Sequence, residues 1–139
     1  MKKDVTKLTT EQKVKLVMGV DCWNTYDLDG KIAKVRVSDG PVGVRMPLDP
    51  TDWSKGDAPA VAYPSTQMLA NTWNIDLAHK VGNAIANDCI ECGVDVILGP
   101  AVNIKRLPTC GRNFEYFSED PYLAGVMARE YINAVQEKH

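Results

Sequence analysis

The side chains able to do chemistry gather in two short segments. One is Ser38-Asp39-Gly40-Pro41-Val42-Gly43-Val44-Arg45, and the other is Cys110-Gly111-Arg112-Asn113-Phe114-Glu115-Tyr116-Phe117-Ser118-Glu119-Asp120-Pro121. Each reads as the end of a buried strand running into a loop that holds charged side chains in place. Together they look like a sugar-binding rim, since carboxylates accept hydrogen bonds and guanidinium groups donate them in a fixed fork. Taken singly the features have plainer readings: Asp39-Gly40-Pro41 is a common turn signal, and Arg112 alone fits a salt bridge. Their co-occurrence in one chain is what points to a site.

Other chemistries fit less well. A net charge of −2 and an isoelectric point near 5.6 give no electrostatic case for nucleic acid, which calls for a basic stripe or patch. The charged start Met1-Lys2-Lys3-Asp4 is not followed by an apolar stretch, and no run approaches the roughly 18 apolar residues of a membrane span. The expected setting is cytoplasmic, with no membrane partner. The four cysteines, Cys22, Cys89, Cys92 and Cys110, are therefore read as reduced thiols. Cys89-x-x-Cys92 lies late in a helical pattern with no second pair to complete a tetrahedral metal site. Asp27-Leu28-Asp29-Gly30 resembles a calcium loop only faintly, because Thr25 and Arg36 fall where ligands are required. Trp23, Trp53 and Trp73 are assigned to packing and His79 to the surface of a helix. No cofactor is implied.

The elements that must position the two segments are legible in outline. The length of 139 residues suits one domain, able to bury roughly 68% of its unfolded surface, and the composition is that of a globular protein. Thr9-Thr10-Glu11-Gln12 has the spacing of a capping box and opens a short helix that ends before Gly19. Ile32 to Val37 reads as a strand after an Asp29-Gly30 turn. Between Met46 and Pro64, four prolines mark a long loop. Asn74 caps a helix whose apolar positions Leu77, Ala78, Val81, Ala84, Ile85 and Cys89 recur at helical spacing up to Gly93. Val94 to Leu98 then reads as a strand buried on both faces. Asp120-Pro121 opens a last helix with Leu123, Val126, Met127, Tyr131, Ala134 and Val135 along one stripe. Strand, helix and strand in that order make a βαβ unit, so the fold class is α/β.

The pattern Ser-Asp-Gly-Pro-x-Gly-Val-Arg, followed by the run from Leu98 to Leu123, resembles family 3 glycoside hydrolases of the β-glucosidase type. The likeness spans nearly the whole chain. It implies the incomplete N-terminal portion of a TIM-like (β/α)8 barrel, residues 1–139 forming part of the family's N-terminal domain with the loop 46–64 inserted after the first strand. A full barrel takes about 250 residues. An unfinished barrel leaves sheet edges unpaired, so self-association or a complementing chain is expected.

The resemblance also implies roles. Asp39 matches the aspartate that accepts hydrogen bonds from glycone hydroxyls in the −1 subsite, Arg112 matches an arginine that donates to the same sugar, and Arg45 supports the site. Glu115 and Glu119 fall in a loop that builds the wall and are read as structural acceptors. The chemistry implied is retaining, exo-acting hydrolysis of terminal β-D-glucosyl residues from a β-glucoside or oligosaccharide. It requires a nucleophile and an acid/base about 5–5.5 Å apart, neither of which has a counterpart here, so the isolated chain is expected to be inactive. Lys138-His139 resembles the family's sugar-binding Lys-His pair, but it directly ends a helix and the match is rejected. The alternatives are a β-xylosidase or other family 3 exo-glycosidase, and a non-catalytic carbohydrate-binding or interaction module.

Overall fold

The computed structural model describes residues 5–138; the opening Met1-Lys2-Lys3-Asp4 and His139 lie outside the described residues. Helix α1 spans Thr10–Leu16 and closes the expected capping box, with Gln12 donating its backbone N–H to Thr9 and receiving the Thr9 N–H on its side chain. Residues 24–36 then fold back on themselves around Asp29 and Gly30, which carry φ of 53° and 72°. Two successive left-handed residues reverse an extended chain tightly, and Asp-Gly tolerates them best. The strand expected over 32–37 is corrected. Ile32 and Val35 instead accept backbone bonds from Leu28 and Thr25 across this turn, and Arg36 bridges Asn24. Only β1, Val37–Asp39, joins the sheet.

Strand β1 pairs in parallel with β2, Val96–Leu98, in the register Val37 to Val96, Ser38 to Ile97 and Asp39 to Leu98. Between them lie α2, Thr66–Asn71, and α3, Ile75–Cys92, and after β2 comes α4, Pro121–Gln136. This is the βαβ unit that the spacing predicts, in a mixed α/β chain. Helix α3 starts on the Asn74 cap and stops at Gly93, whose φ of 65° and ψ of 37° place it in the left-handed conformation that terminates helices. Asp120 caps α4 by accepting from the N–H groups of Tyr122 and Leu123, with Pro121 at the first turn. Helix α2 is an addition to the expected elements, capped by Ser65.

The core is a contact between α3 and α4 and the sheet beneath them. Ala78, Ile85, Ala86 and Cys89 of α3 meet Ala124, Met127, Ala128, Tyr131 and Ala134 of α4, all buried. Small residues let the two axes come close. At Gly82 a Cβ would stand 2.5 Å from the carbonyl oxygen of Tyr131.

Strand side chains alternate between faces. Ser38 and Ile97 turn toward the helices, whereas Val37, Asp39, Val96 and Leu98 share the other face. The expectation that β2 is buried on both faces is therefore corrected: Val96 is 43% and Leu98 55% exposed. Among the described residues, no layer covers that side of the two-stranded sheet.

Candidate functional site

The register of the sheet carries two loops to one end. Asp39 is the last residue of β1 and lies beside Leu98, the last of β2, so the segments that follow both strands begin at adjacent points. The first loop folds tightly because of its glycines. At Gly40 (φ 154°) a Cβ would lie 1.9 Å from the carbonyl oxygen of Gly43, and at Gly43 (φ 140°) one would lie 2.2 Å from that of Val61. Only glycine fits either place. The turn brings Arg45 back alongside β1, where its N–H donates to the Asp39 carbonyl at 3.0 Å and its own carbonyl accepts from the Ser38 hydroxyl.

The Arg45 guanidinium is held from several sides. Its Nε donates to both carboxylate oxygens of Asp57, at 3.2 and 3.0 Å, and its Cζ stands 4.7 Å from the ring centre of Trp53 and 5.7 Å from that of Trp23. An arginine over aromatic faces gains cation–π attraction in addition to its ion pair. Its Nη1 reaches only to 4.0 Å from Asp39 Oδ2. Arg45 thus sits beside the Asp39 carboxylate as a fixed positive charge and leaves it open to other donors.

The second loop delivers Arg112. Asn113 donates its side-chain amide to the carbonyls of Leu107 (2.8 Å) and Pro108 (3.4 Å), closing a turn, and Asn113–Glu115 forms a 3-10 turn. Arg112 Nε donates to Glu115 Oε1, and the Glu115 carbonyl accepts from the hydroxyl of Thr66, a buried residue of α2. The Arg112 side chain is 71% exposed and that of Glu115 only 9%. The hydrogen bond to Glu115, then its charge, holds the guanidinium above its ordinary value.

Asp39, Arg112 and Glu115 line one cavity of about 450 Å³ with Pro41, Leu98, Ala101 and Phe114. That volume lies within the range of about 300–1,000 Å³ typical of small-molecule sites. A carboxylate at one wall and a guanidinium at the other can accept from and donate to a polyhydroxylated ligand at once, while Phe114 and Leu98 offer apolar surface. Of the three residues expected to bind, the fold brings Asp39 and Arg112 together. Arg45 lies on a neighbouring groove of about 310 Å³, together with Asp57. Glu119 does not line the shared cavity. Asp57 and Phe114 join the sites without a motif to mark them, and Glu115 pairs with Arg112, a contact signalled in the sequence by their spacing of three.

The remaining candidates fall elsewhere. His79 lies on α3 with its side chain 32% exposed and Nε2 3.3 Å from Glu137 Oε2. All four cysteines are free, and among the described residues no group of three His, Cys, Asp or Glu is arranged to hold a metal. No described helix is long and apolar enough to cross a membrane.

Residues 2–139 match the glycosyl hydrolase family 3 N terminal domain. The chain is 39% identical to thermostable beta-glucosidase B of Acetivibrio thermocellus, covering 99% of this chain and 19% of that protein. It is 45% identical to an exo-alpha-(1->6)-L-arabinopyranosidase of Bifidobacterium longum, covering 96% of this chain and 18% of that one. Among solved structures, beta-glucosidase 3B from Thermotoga neapolitana in complex with glucose superposes with a TM-score of 0.85 at 39% identity, over 96% of this chain and 21% of that one. The beta-glucosidase from Kluyveromyces marxianus in complex with glucose gives 0.88 at 37% identity, over 99% and 16%. The chain therefore spans less than a fifth of the length of the curated relatives it matches. The chain belongs to glycosyl hydrolase family 3, within the N-terminal domain of that family.

Proposed function

We propose that this chain is the part of a retaining, exo-acting β-glucosidase that grips the terminal β-D-glucosyl residue, with β1 and β2 as neighbouring strands of a (β/α)8 barrel. The observation that carries the reading is the meeting of Asp39 and Arg112 across one cavity at the carboxyl ends of two parallel strands, where barrel enzymes build their sites. Asp39 accepts from two adjacent hydroxyls of the sugar and Arg112 donates to a third, so the ring has one orientation. Arg45 stands beside the Asp39 carboxylate as a fixed positive charge. Glu115 is committed to Arg112 and is not free to act as an acid. The nucleophile and the acid/base then come from outside this chain, and the two-carboxylate reaction runs where the barrel is complete. Two relatives of known structure hold glucose, which supports this choice of sugar.

The test joins this chain to the remainder of the Thermotoga neapolitana enzyme and measures hydrolysis of an aryl β-D-glucoside. Asp39→Ala removes two charge-assisted hydrogen bonds of about 1.5–3 kcal/mol each, so kcat/KM should fall by about 10²–10⁴. Activity retained within about threefold would remove Asp39 from the sugar site. Turnover by the 139-residue chain alone would show that the catalytic carboxylates are within it. A second reading of the glycone follows from the Bifidobacterium relative named as an arabinopyranosidase. Rates on aryl β-D-glucoside, β-D-xyloside and α-L-arabinopyranoside, compared side by side, decide between a hexosyl and a pentosyl subsite.

A further inference from the structure

Glu115 is placed in a way that lining a cavity does not require. Its side chain is 9% exposed, and a carboxylate removed from water to that degree must be paired to remain charged. Its partner is Arg112, which on its own would be a mobile surface side chain at 71% exposure. The bond uses Nε, the guanidinium N–H nearest the stem. That choice leaves the four N–H donors of the two terminal amino groups outside this bond.

The anchor is itself anchored. The Glu115 N–H donates to the Arg112 carbonyl at 3.2 Å, and its carbonyl accepts from Thr66, which is buried on α2. Tyr116 and Phe117, immediately after it, are buried as well. A rigid chain of contacts therefore runs from α2 through Thr66 and Glu115 to the one long, exposed donor that faces Asp39 across the cavity. An arginine held this way loses its rotamer freedom during folding and not during ligand capture, which strengthens binding by preorganisation.

We propose that Glu115 is a positioning residue: it locks the Arg112 guanidinium so that its free amino groups face the sugar cavity. The inference rests on the reading of Arg112 as a sugar donor. The test is a double-mutant cycle on kcat/KM in the joined enzyme described above. Glu115→Ala is expected to lower kcat/KM by about tenfold to a hundredfold with Arg112 present and by less than about twofold in an Arg112→Ala background. Glu115→Gln keeps an acceptor of the same shape, so it should recover part of the loss; where Glu115→Ala does not fold, the same cycle is run with Glu115→Gln. A second readout is independent of catalysis. In the 139-residue chain the Arg112 Nε–H should give a protected nuclear magnetic resonance signal that exchanges freely in Glu115→Ala. Equal losses in both backgrounds, or an Nε–H signal indifferent to Glu115→Ala, would overturn the positioning role and leave the sugar site standing. Full activity in Arg112→Ala would overturn both.

Discussion

Gly82 and Gly125 offer the same substitution in two helices with opposite expected outcomes. Both lie within helices, Gly82 in α3 and Gly125 in α4. Replacing a glycine by alanine in a helix interior stabilises by about 0.8–1 kcal/mol, because the unfolded chain has fewer conformations to lose. A Cβ added at Gly125 meets nothing within 4 Å, so Gly125→Ala should show that gain nearly whole. A Cβ at Gly82 would lie 2.5 Å from the Tyr131 carbonyl oxygen, about 0.9 Å inside the ordinary 3.4 Å contact, and 3.0 Å from the Ala134 Cβ. The obstacle is backbone on the facing helix, which cannot rotate aside, so α3 and α4 must part along their buried seam. Overpacking of this kind costs about 1–3 kcal/mol, and a backbone obstacle places it near the upper end. Gly82→Ala should thus be destabilised by about 2 kcal/mol net, and the two variants should differ by about 3 kcal/mol. For a chain of this size that separates their melting temperatures by about 10 °C. Thermal unfolding followed by far-ultraviolet circular dichroism measures it, with urea midpoints at constant slope as a check. Melting within about 2 °C of each other, or a Gly82→Ala variant above the parent, would refute the close seam between the helices.

Two further predictions concern titratable groups. Asp49 accepts from Lys55 Nζ at 2.7 Å and from Thr51, which together hold its carboxyl at about 2, below the ordinary 3.8. A lowered value in the folded chain means that the ionised form supports the fold. The support is complete above pH 3.8 and is lost as pH falls toward 2, so carboxyl carbon resonances should titrate near 2, and Lys55→Met should move them upward. Among the thiols, Cys22 and Cys110 are exposed and should alkylate first, whereas burial pushes Cys89 up to about 11 and shields it. Peptide mapping after brief alkylation should find Cys89 unmodified until denaturant is added; early modification would contradict its place between α3 and α4.

The parts of the fold legible in the sequence are those fixed by local chemistry. Asn74 and Gly93 bracket α3, and Asp120-Pro121 opens α4, because a cap acts on backbone groups within a few residues of itself. Helix α2 escaped because six residues after Pro64 show too little period, and the turn at Trp73 that follows its Thr72 cap has a φ of 53° that a tryptophan does not advertise. The extent of β1 was misread for a different reason. Ile32 and Val35 are as β-favouring as Val37, and whether residues 32–36 pair backward with 24–28 or forward into the sheet depends on contacts that no window contains. At the site, Asp39 and Arg112 could be read from their motifs, but Asp57 could not. It meets Arg45 only because two glycines turn the loop on itself.

The parallel pairing of β1 and β2 has a consequence for descent. Each strand hands its loop to the same rim and then retreats through a helix, so the residues that touch a ligand and those that make the chain fold are interleaved in sequence but segregated in space. Under the proposed function, mutations in the Asp39 and Arg112 loops would retune which sugar is accepted while the seam of Gly82, Ala134 and Tyr131 is left alone.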